Sequence, residues 1–465
     1  MQPVKAVMRE LKPRAKVLAV AGLDPSGGAG LAADVRTFMA LGVYCAPVVA
    51  AITSQDTRGV YRVEAVGGEL LRAQLEAVLA DLRPGWAKVG VLYSPDNMEV
   101  VASLLGGAGV KMVLDPVLSA GTGQPLVGPG GLKALRERLL PEAFIITPNA
   151  KEAARLSGLK VRDAEDARRA AKALADLGPE GVIVKGGHIA GDQVVDILYY
   201  DGGFYVFGRP RVGLDAHGSG CVFSSALTAL LALGRPVLAA VEEAGDLAAG
   251  AIRWALSVGS GRPVANPGFR LINEAERYAV LREVEEAVKA LLSEPGLAYF
   301  VPEVGAQLAM ALPMPTGPGD VAAVDGRMVR TMDGVRAVGP VRFGASDHMA
   351  RVVLTAMRHD PSVRAALNLA YRPSLLEALG EMGLKLASFD RRREPPDVAA
   401  VEGASLPWGV EEAIRASGGA VPDVIYDLGG HGKEAMIRIL GRSAHEVVEK
   451  AVRAIRAVRA SGQPI

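Results

Sequence analysis

The chain has 465 residues, 50% of them hydrophobic and 22% charged, with a formal net charge of +1. That length exceeds one ordinary core, so two or three domains are expected, and the balanced charge offers no global field for nucleic acid or an anionic membrane. Only two cysteines are present, Cys45 and Cys221. They exclude a disulfide framework and point to a reducing, cytoplasmic setting.

Residues 1–16 carry Lys5, Arg9, Lys12, Arg14 and Lys16 without an apolar core, and read as an extension rather than a secretory signal. Residues 16–22 (KVLAVAG) form a continuous apolar run, as expected of a strand buried on both faces. A Gly-rich loop and an amphipathic helix over 29–41 follow. Apolar runs recur at 46–52, 87–91, 112–114, 144–146 and 182–184, separated by helical patterns such as 69–82 and 162–177. This alternation predicts a parallel sheet with helices on both faces, a three-layer α/β/α domain. Runs at 194–199 and 204–207, joined by Asp201-Gly202-Gly203, signal a hairpin. The uncharged run 222–234 reads as a buried helix too short to span a bilayer, and an Ala-rich helix covers 237–256. Residues 258–271 are rich in Gly and Pro and read as a linker. Beyond it a charged helix (273–292) opens a second, smaller α/β domain over 272–465. Its elements are expected at 320–324, 338–343, 346–357, 373–382, 384–388, 424–427 and 444–459.

The stretch Asp215-Ala216-His217-Gly218-Ser219-Gly220-Cys221 stands where a loop becomes a helix N-terminus. Unpaired amides and the helix dipole favour an anion there. Gly218 and Gly220 clear side chains from the path of a phosphate, with Ser219 between them. Cys221 sits in the same field, which is expected to lower its thiol pKa and make it a base or nucleophile. The plainer reading is a Gly-rich helix start with an inert buried Cys. Gly28-Ala29-Gly30-Leu31-Ala32-Ala33 matches a dinucleotide fingerprint only superficially, because an insert separates it from its strand. Asp115 ends one strand and Asn149 and Glu152 begin the helix after the next. All three are candidates for a hydrated Mg²⁺, although Asn149 also reads as an N-cap. Lys185-Gly186-Gly187-His188 closes another strand and suits a polyphosphate. Together these residues suit magnesium-assisted phosphoryl transfer.

Residues 17 to about 256 resemble hydroxymethylpyrimidine kinase/hydroxymethylpyrimidine phosphate kinase, of the ribokinase-like superfamily. The matching text is 22–30 (GLDPSGGAG), 50–60 (AAITSQDTRGV), 88–92 (KVGVL), 114–117, 147–152 and 217–221. The resemblance implies two successive ATP- and Mg²⁺-dependent phosphorylations. It assigns Gln55 to the pyrimidine, places Gly22, Asp24 and Val91 in the same pocket, gives Asp115 and Glu152 to Mg²⁺, and makes Cys221 the base. Asp115, Lys185, Gly186, Gly218, Ser219 and Gly220 would hold ATP phosphates. Val91 stands where many relatives have Met, and Ser219 where Thr is usual.

In the second half, 323–327 (AVDGR), 341–351 (VRFGASDHMAR) and 423–434 (DVIYDLGGHGKE) combine turns, cations and Gly-rich loops. Arg327, Arg342, His348, His431 and Lys433 suit anions, and Asp427 suits Mg²⁺; a plain helix cap at Asp347-His348 and a solvated Arg327 are the other readings. Residues from about 272 to 460 resemble the archaeal-type thiamine-phosphate synthase domain found fused to this kinase. Further matching text lies at 302–313, 366–371 (ALNLAY) and 388–391 (SFDR), with Gln307 where relatives often carry Asn. This resemblance implies condensation of a pyrimidine diphosphate with a thiazole phosphate, with Arg327 and His348 as the essential pair and Arg342 and Lys433 as phosphate ligands. The partners expected are small molecules and a second copy of the chain, dimer or larger, not nucleic acid or membrane. Two alternatives are a pyridoxal or nucleoside kinase and, for the second half, a thiamine-phosphate-binding regulatory domain.

Overall fold

The computed structural model describes residues 12–188, 191–430 and 432–461. The chain divides into two compact units, 1–269 and 270–465.

The first unit contains, in order, β1 (Lys16–Leu23), α1 (Gly30–Ala40), β2 (Tyr44–Gln55), β3 (Val60–Ala65), α2 (Gly68–Leu82), β4 (Trp86–Val89), α3 (Pro95–Gly107), β5 (Lys111–Leu114), α4 (Gly131–Ala134), β6 (Ala143–Ile146), α5 (Ala150–Ser157), α6 (Ala164–Ala175), β7 (Gly181–Val184), β8 (Gln193–Tyr200), β9 (Gly203–Pro210), α7 (Ser219–Ala232) and α8 (Val237–Arg253). Its nine strands lie in the order β3-β2-β1-β4-β5-β6-β7-β8-β9. The run from β2 to β7 is parallel; β3, β8 and β9 are antiparallel additions. Along β1 alternate side chains serve opposite layers. Leu18 and Val20 join the core beneath α2 and α3, whereas Val17, Ala19 and Ala21 pack with Leu31 and Phe38 of α1 and Ala229 of α7. Burial on both faces is why the parallel strands read as unbroken apolar runs. Edge strand β3, mostly exposed, has no such run and was not expected. The strand order reverses at β1, between β2 and β4, so a crevice opens at the carboxyl ends of these strands.

The segment expected to be a linker is instead part of this unit. Val264 bridges to Leu256 and His217, and Val264, Ala265 and Asn266 are buried. A Cβ on Gly261 would lie 2.2 Å from the Thr57 carbonyl oxygen. The glycine there serves close backbone approach rather than flexibility.

The second unit holds α9 (Phe269–Leu292), β10 (Gln307–Ala311), β11 (Val321–Val324), β12 (Met328–Thr331), β13 (Gly334–Ala337), β14 (Val341–Phe343), α10 (Asp347–His359), β15 (Ala365–Ala370), α11 (Pro373–Glu381), β16 (Leu386–Ser388), α12 (Pro396–Ala399), α13 (Ser405–Ala416), β17 (Val424–Asp427), β18 (Met436–Gly441) and α14 (Ala444–Ala460). Seven strands form a sheet ordered β14-β11-β10-β15-β18-β17-β16, parallel only between β16 and β17. Leu308, Met310, Leu367, Leu369, Ile437 and Ile439 pack with α9, α11 and α14 on one face, and α10 lies against β10 and β15. Among the described residues no helix is long and apolar enough to cross a membrane.

One polar feature lies inside the first core. Lys88 of β4 reaches Asp34 of α1 at 2.8 Å, both fully buried, and the Ser225 hydroxyl of α7 donates to Asp34 at 2.7 Å. Burial alone would lower the Lys88 ammonium, but Asp34, with Cys221 and Asp115, holds it raised. Lys88→Met should strand a buried carboxylate and cost about 3–5 kcal/mol in denaturant unfolding of this unit. Adding Asp34→Leu should recover most of that loss. An unchanged midpoint for the single variant would refute the pair's role.

Candidate active site

A cavity of about 550 Å³ lies in the first unit. The strand ends and the loops that leave them supply its walls. Asp115 follows β5, Asn149 and Glu152 follow β6, Lys185 follows β7, and Gly218, Ser219, Gly220 and Cys221 lead into α7; all of them line it. So do Gly22, Asp24, Gln55 and Val91.

Gly218 has φ +82°, and a Cβ there would lie 1.9 Å from the Gly28 carbonyl oxygen, so this helix start demands glycine. Val222 bonds back to the Gly218 carbonyl at 3.0 Å, which leaves the amides of Ser219, Gly220 and Cys221 ahead of the helical ladder. A Cβ on Gly220 would stand 3.4 Å from Lys185 Nζ and 3.7 Å from Asp115 Oδ2. The helix start, the cation and the carboxylate therefore meet at one point. Lys185 donates to Asp115 Oδ1 at 3.0 Å, Thr147 donates to the same oxygen at 3.2 Å, and Ser224 donates to Oδ2 at 3.3 Å. Burial works against the Lys185 charge, but Asp115 and Glu152 outweigh it and raise its pKa.

Glu152 is pushed up to about 7, first by burial and then by Asp115, against the pull of Lys185. Asn149 closes a capping box with it. Asn149 Oδ1 accepts from the Lys151 and Glu152 amides, and Glu152 Oε2 accepts from the Asn149 amide. The cap reading of Asn149 thus holds, and its oxygen is not free for a metal. Asp115 and Glu152 remain. One or two carboxylates completed by water and phosphate oxygens suit Mg²⁺, so this donor set fits the ion. Among the described residues no group of three or more His, Cys, Asp or Glu gathers into a cage.

Three expectations need correcting. Gly186 does not line the cavity: its amide is spent on Asp196 Oδ1 at 2.9 Å, and Gly187 lines the wall instead. Asp24 does line it, but its carboxylate is full. Oδ1 accepts from the Ser26 amide (2.8 Å) and hydroxyl (2.7 Å), and Oδ2 from the Ala29 amide (2.8 Å) and His217 Nε2 (3.0 Å). Burial alone would raise Asp24; the bonds from His217, Ser26 and Ala29 leave it lowered. It organises the loop rather than offering free acceptors. Finally, the Cys221 thiol is not depressed. Burial pushes it up to about 11, aided by Asp34 and Asp115, while Lys88 and the Gly30 amide pull the other way. Dry surroundings overcome the helix-terminus field. Lys88, Asp34 and His217 were missed as site residues. A lysine within an apolar strand run was the signal for Lys88, and His217 stood inside the loop stretch already singled out.

In the second unit the expected residues separate. Arg327 sits in the turn after β11 with φ +77° and donates to the Val304 carbonyl. Arg342 is exposed and holds Asp325 through two bonds of 2.9 and 3.0 Å. Val341 faces Val324 and Phe343 faces Ala322, so β14 runs away from the Arg327 turn before His348 begins α10. His348 is exposed. Lys433 bonds Glu394 Oε2 and Ser405 Oγ, each at 3.1 Å. His431 lies outside the described residues. Asp427 is not a free metal ligand: it is fully buried between Arg391 (2.6 Å) and Arg438 (2.8 Å) and also accepts from the Gly429 amide. Two guanidiniums saturate its oxygens. Gln307, Asn368 and Arg438 stand opposite one another on β10, β15 and β18, so they share a face, and all are buried. Asn368 Oδ1 has no partner. Lone amide or charged residues within short apolar strands were the signal for this row.

Comparison with known proteins follows the same division. A phosphomethylpyrimidine kinase family model matches residues 24–266, and one for thiamine-phosphate synthase ThiN matches 283–453. The bifunctional thiamine biosynthesis protein ThiDN of Methanocaldococcus jannaschii is 33% identical over 442 residues, covering 93% of this chain and 97% of that one. The hydroxymethylpyrimidine/phosphomethylpyrimidine kinase of Rhizobium meliloti is 42% identical over 53% of this chain and 94% of its own. The solved pyridoxal kinase of Staphylococcus aureus, in complex with AMP-PCP and pyridoxal, aligns with TM-score 0.51 and 32% identity over 55% of this chain and 93% of that one. The first unit has the fold of a ribokinase-like small-molecule kinase. The whole chain belongs to the family of bifunctional thiamine biosynthesis proteins that join a phosphomethylpyrimidine kinase to a ThiN-type synthase.

A thiol held near 11 should alkylate slowly in the ligand-free protein. The iodoacetamide rate at Cys221, followed by mass spectrometry, should climb with pH without a plateau below about pH 10. A plateau near pH 7 would restore the depressed thiol.

Proposed function

We infer that the first unit phosphorylates a hydroxymethylpyrimidine and then its monophosphate from ATP, and that the second condenses the resulting diphosphate with a thiazole phosphate to thiamine phosphate and pyrophosphate. The observation that carries the kinase half is the single cavity shared by Gln55 and Val91, by Cys221, and by Lys185, Asp115 and the glycine-rich start of α7.

In this reading Gln55 and Val91 hold the pyrimidine, while the amides of Ser219, Gly220 and Cys221 face the migrating phosphoryl group. Lys185 neutralises charge on the phosphates. Cys221, a protonated thiol in the ligand-free site, would act through its small thiolate fraction, taking the acceptor hydroxyl's proton as the new O–P bond forms and the bond to ADP breaks. Asp115 and Glu152 would hold Mg²⁺, which supplies charge neutralisation on the phosphate oxygens. In the second unit the bond from the pyrimidine methylene to the diphosphate breaks, pyrophosphate leaves, and the thiazole nitrogen forms the new C–N bond. Arg327, Arg342 and Lys433 are proposed to meet the leaving phosphates; His348, beyond the far end of β14, would act apart from Arg327 rather than as its partner. The likeness to pyridoxal kinases favours one second reading, pyridoxal as the acceptor; side-by-side turnover of the two acceptors decides between them. Two unpaired thiols support a cytoplasmic setting, and the family resemblance supports a homo-oligomer.

Product analysis with hydroxymethylpyrimidine, ATP, Mg²⁺ and thiazole phosphate should yield thiamine phosphate. Cys221→Ala should cut both kinase steps by about 10²–10⁴-fold and spare condensation from supplied diphosphate. His348→Ala should do the reverse. Loss of both activities from either change, in a folded protein, would refute the two-site assignment.

A further inference from the structure

His217 takes no part in the chemistry above, yet its Nε2 faces two polar partners in the cavity wall. It lies 3.0 Å from Asp24 Oδ2 and 2.8 Å from Gln55 Nε2. Gln55 Oε1, the other end of that amide, is 3.3 Å from Thr53 Oγ1, whose own proton goes to the Leu23 carbonyl at 3.0 Å.

Nε2 can carry one proton. Asp24 already accepts from the Ser26 amide and hydroxyl and from the Ala29 amide, and an ionised carboxylate only accepts. The proton on Nε2 must therefore point at Asp24. Against that N–H the Gln55 Nε2 sets donor against donor, so the carboxamide is satisfied only after a half-turn that brings Oε1 to His217, where it shares the Nε2 proton with Asp24. The NH₂ group then turns to Thr53 Oγ1, which is free to accept. Only this turned arrangement, with the Nε2 proton divided between Asp24 and Gln55, leaves no donor facing a donor, and it sets which end of Gln55 is which.

The imidazole itself has no freedom to change sides. Its backbone is held on both flanks: the His217 amide donates to the Pro263 carbonyl at 2.8 Å, and the Ala265 amide donates to the His217 carbonyl at 2.9 Å. Its ring fills the space over Gly28, where a Cβ would come within 2.4 Å of Cδ2.

We propose that His217 is a specificity-determining residue that locks the Gln55 carboxamide in one orientation, so that the pocket reads a 4-aminopyrimidine edge and rejects its 4-oxo counterpart. A carboxamide shows one donor and one acceptor. An aminopyrimidine edge offers an exocyclic N–H donor beside a ring-nitrogen acceptor; an oxopyrimidine edge offers the reverse. A freely rotating glutamine accommodates either, whereas a locked one leaves unpaired polar groups with the wrong one. This inference rests on the reading above, that Gln55 contacts the pyrimidine.

The test is steady-state kinase kinetics on the full chain, with the 4-amino hydroxymethylpyrimidine and its 4-oxo analogue as competing acceptors. His217→Leu should lower the amino-over-oxo ratio of kcat/KM at least about tenfold, through KM, with the KM for ATP unchanged. Gly28→Ala, which displaces the ring without removing it, should shift the ratio the same way. Gln55→Leu should raise KM for the amino substrate. If Gln55→Leu leaves that KM alone, both the pocket reading and the lock fail. If it raises KM while the histidine and glycine variants keep the wild-type ratio, the lock alone is overturned. A fall in KM for the amino substrate in His217→Leu would also overturn it, since the ring would then be blocking the pocket.

Discussion

Three elements of the first unit are tied at one buried point. Asp34 of α1 meets Lys88 of β4, and Ser225 of α7 closes the third side. Such a pair roughly breaks even against an apolar replacement in stability, so its consequence is positional. Ser225 lies one helical turn beyond Cys221, and fixing it sets the height at which α7 begins beneath the cavity. It also places an ammonium where its charge pulls the Cys221 thiol down. Of the opposing pulls on Cys221, those of Asp34 and Lys88 trace to this anchor, while burial, Asp115 and the Gly30 amide come from the strand end and loops above it.

The parallel strands then act as a set of parallel arms. Each ends at the same edge of the sheet and delivers one group there: Asp115, Glu152 and Lys185 in succession. None of these is assembled by a local motif, which explains why the chemistry is spread over more than a hundred residues. In the second unit a largely antiparallel sheet cannot do this, because neighbouring strands end at opposite edges. There the polar groups gather instead as a cross-strand row, Gln307, Asn368 and Arg438, backed by the Asp427 cluster.

Much of this was legible in the sequence. Strands buried on both faces announce themselves as apolar runs, and the glycines at 218 and 220 announce a backbone that must come close to something. What stayed hidden depends on partners distant in the chain. Asp427 reads as a metal ligand until Arg391 and Arg438, 36 and 11 residues away, are folded onto it. Cys221 reads as acidic from its helix position, because local sequence gives the dipole and not the burial. Strands β10, β15 and β18 were overlooked for the reason that makes them interesting: a Gln opens the first, and an Asn and an Arg interrupt the apolar runs of the other two.

The segment after α8 shows the same limit from the other side. Gly and Pro between 258 and 268 carry two meanings that composition does not separate, chain freedom and close approach. Here the second applies, since Gly261 closes on the Thr57 backbone and residues 263–265 hold His217 through an isolated β-bridge. A free tether at this point would leave the His217 main chain unpaired on both sides. Its imidazole could then swing away from Asp24, and the Asp24 carboxylate would lose one of the bonds that hold it ionised in a buried place. The stretch that ends the first unit is thus a wall of its cavity, and changes in its length should be felt first by the acceptor pocket and only afterwards by the fold.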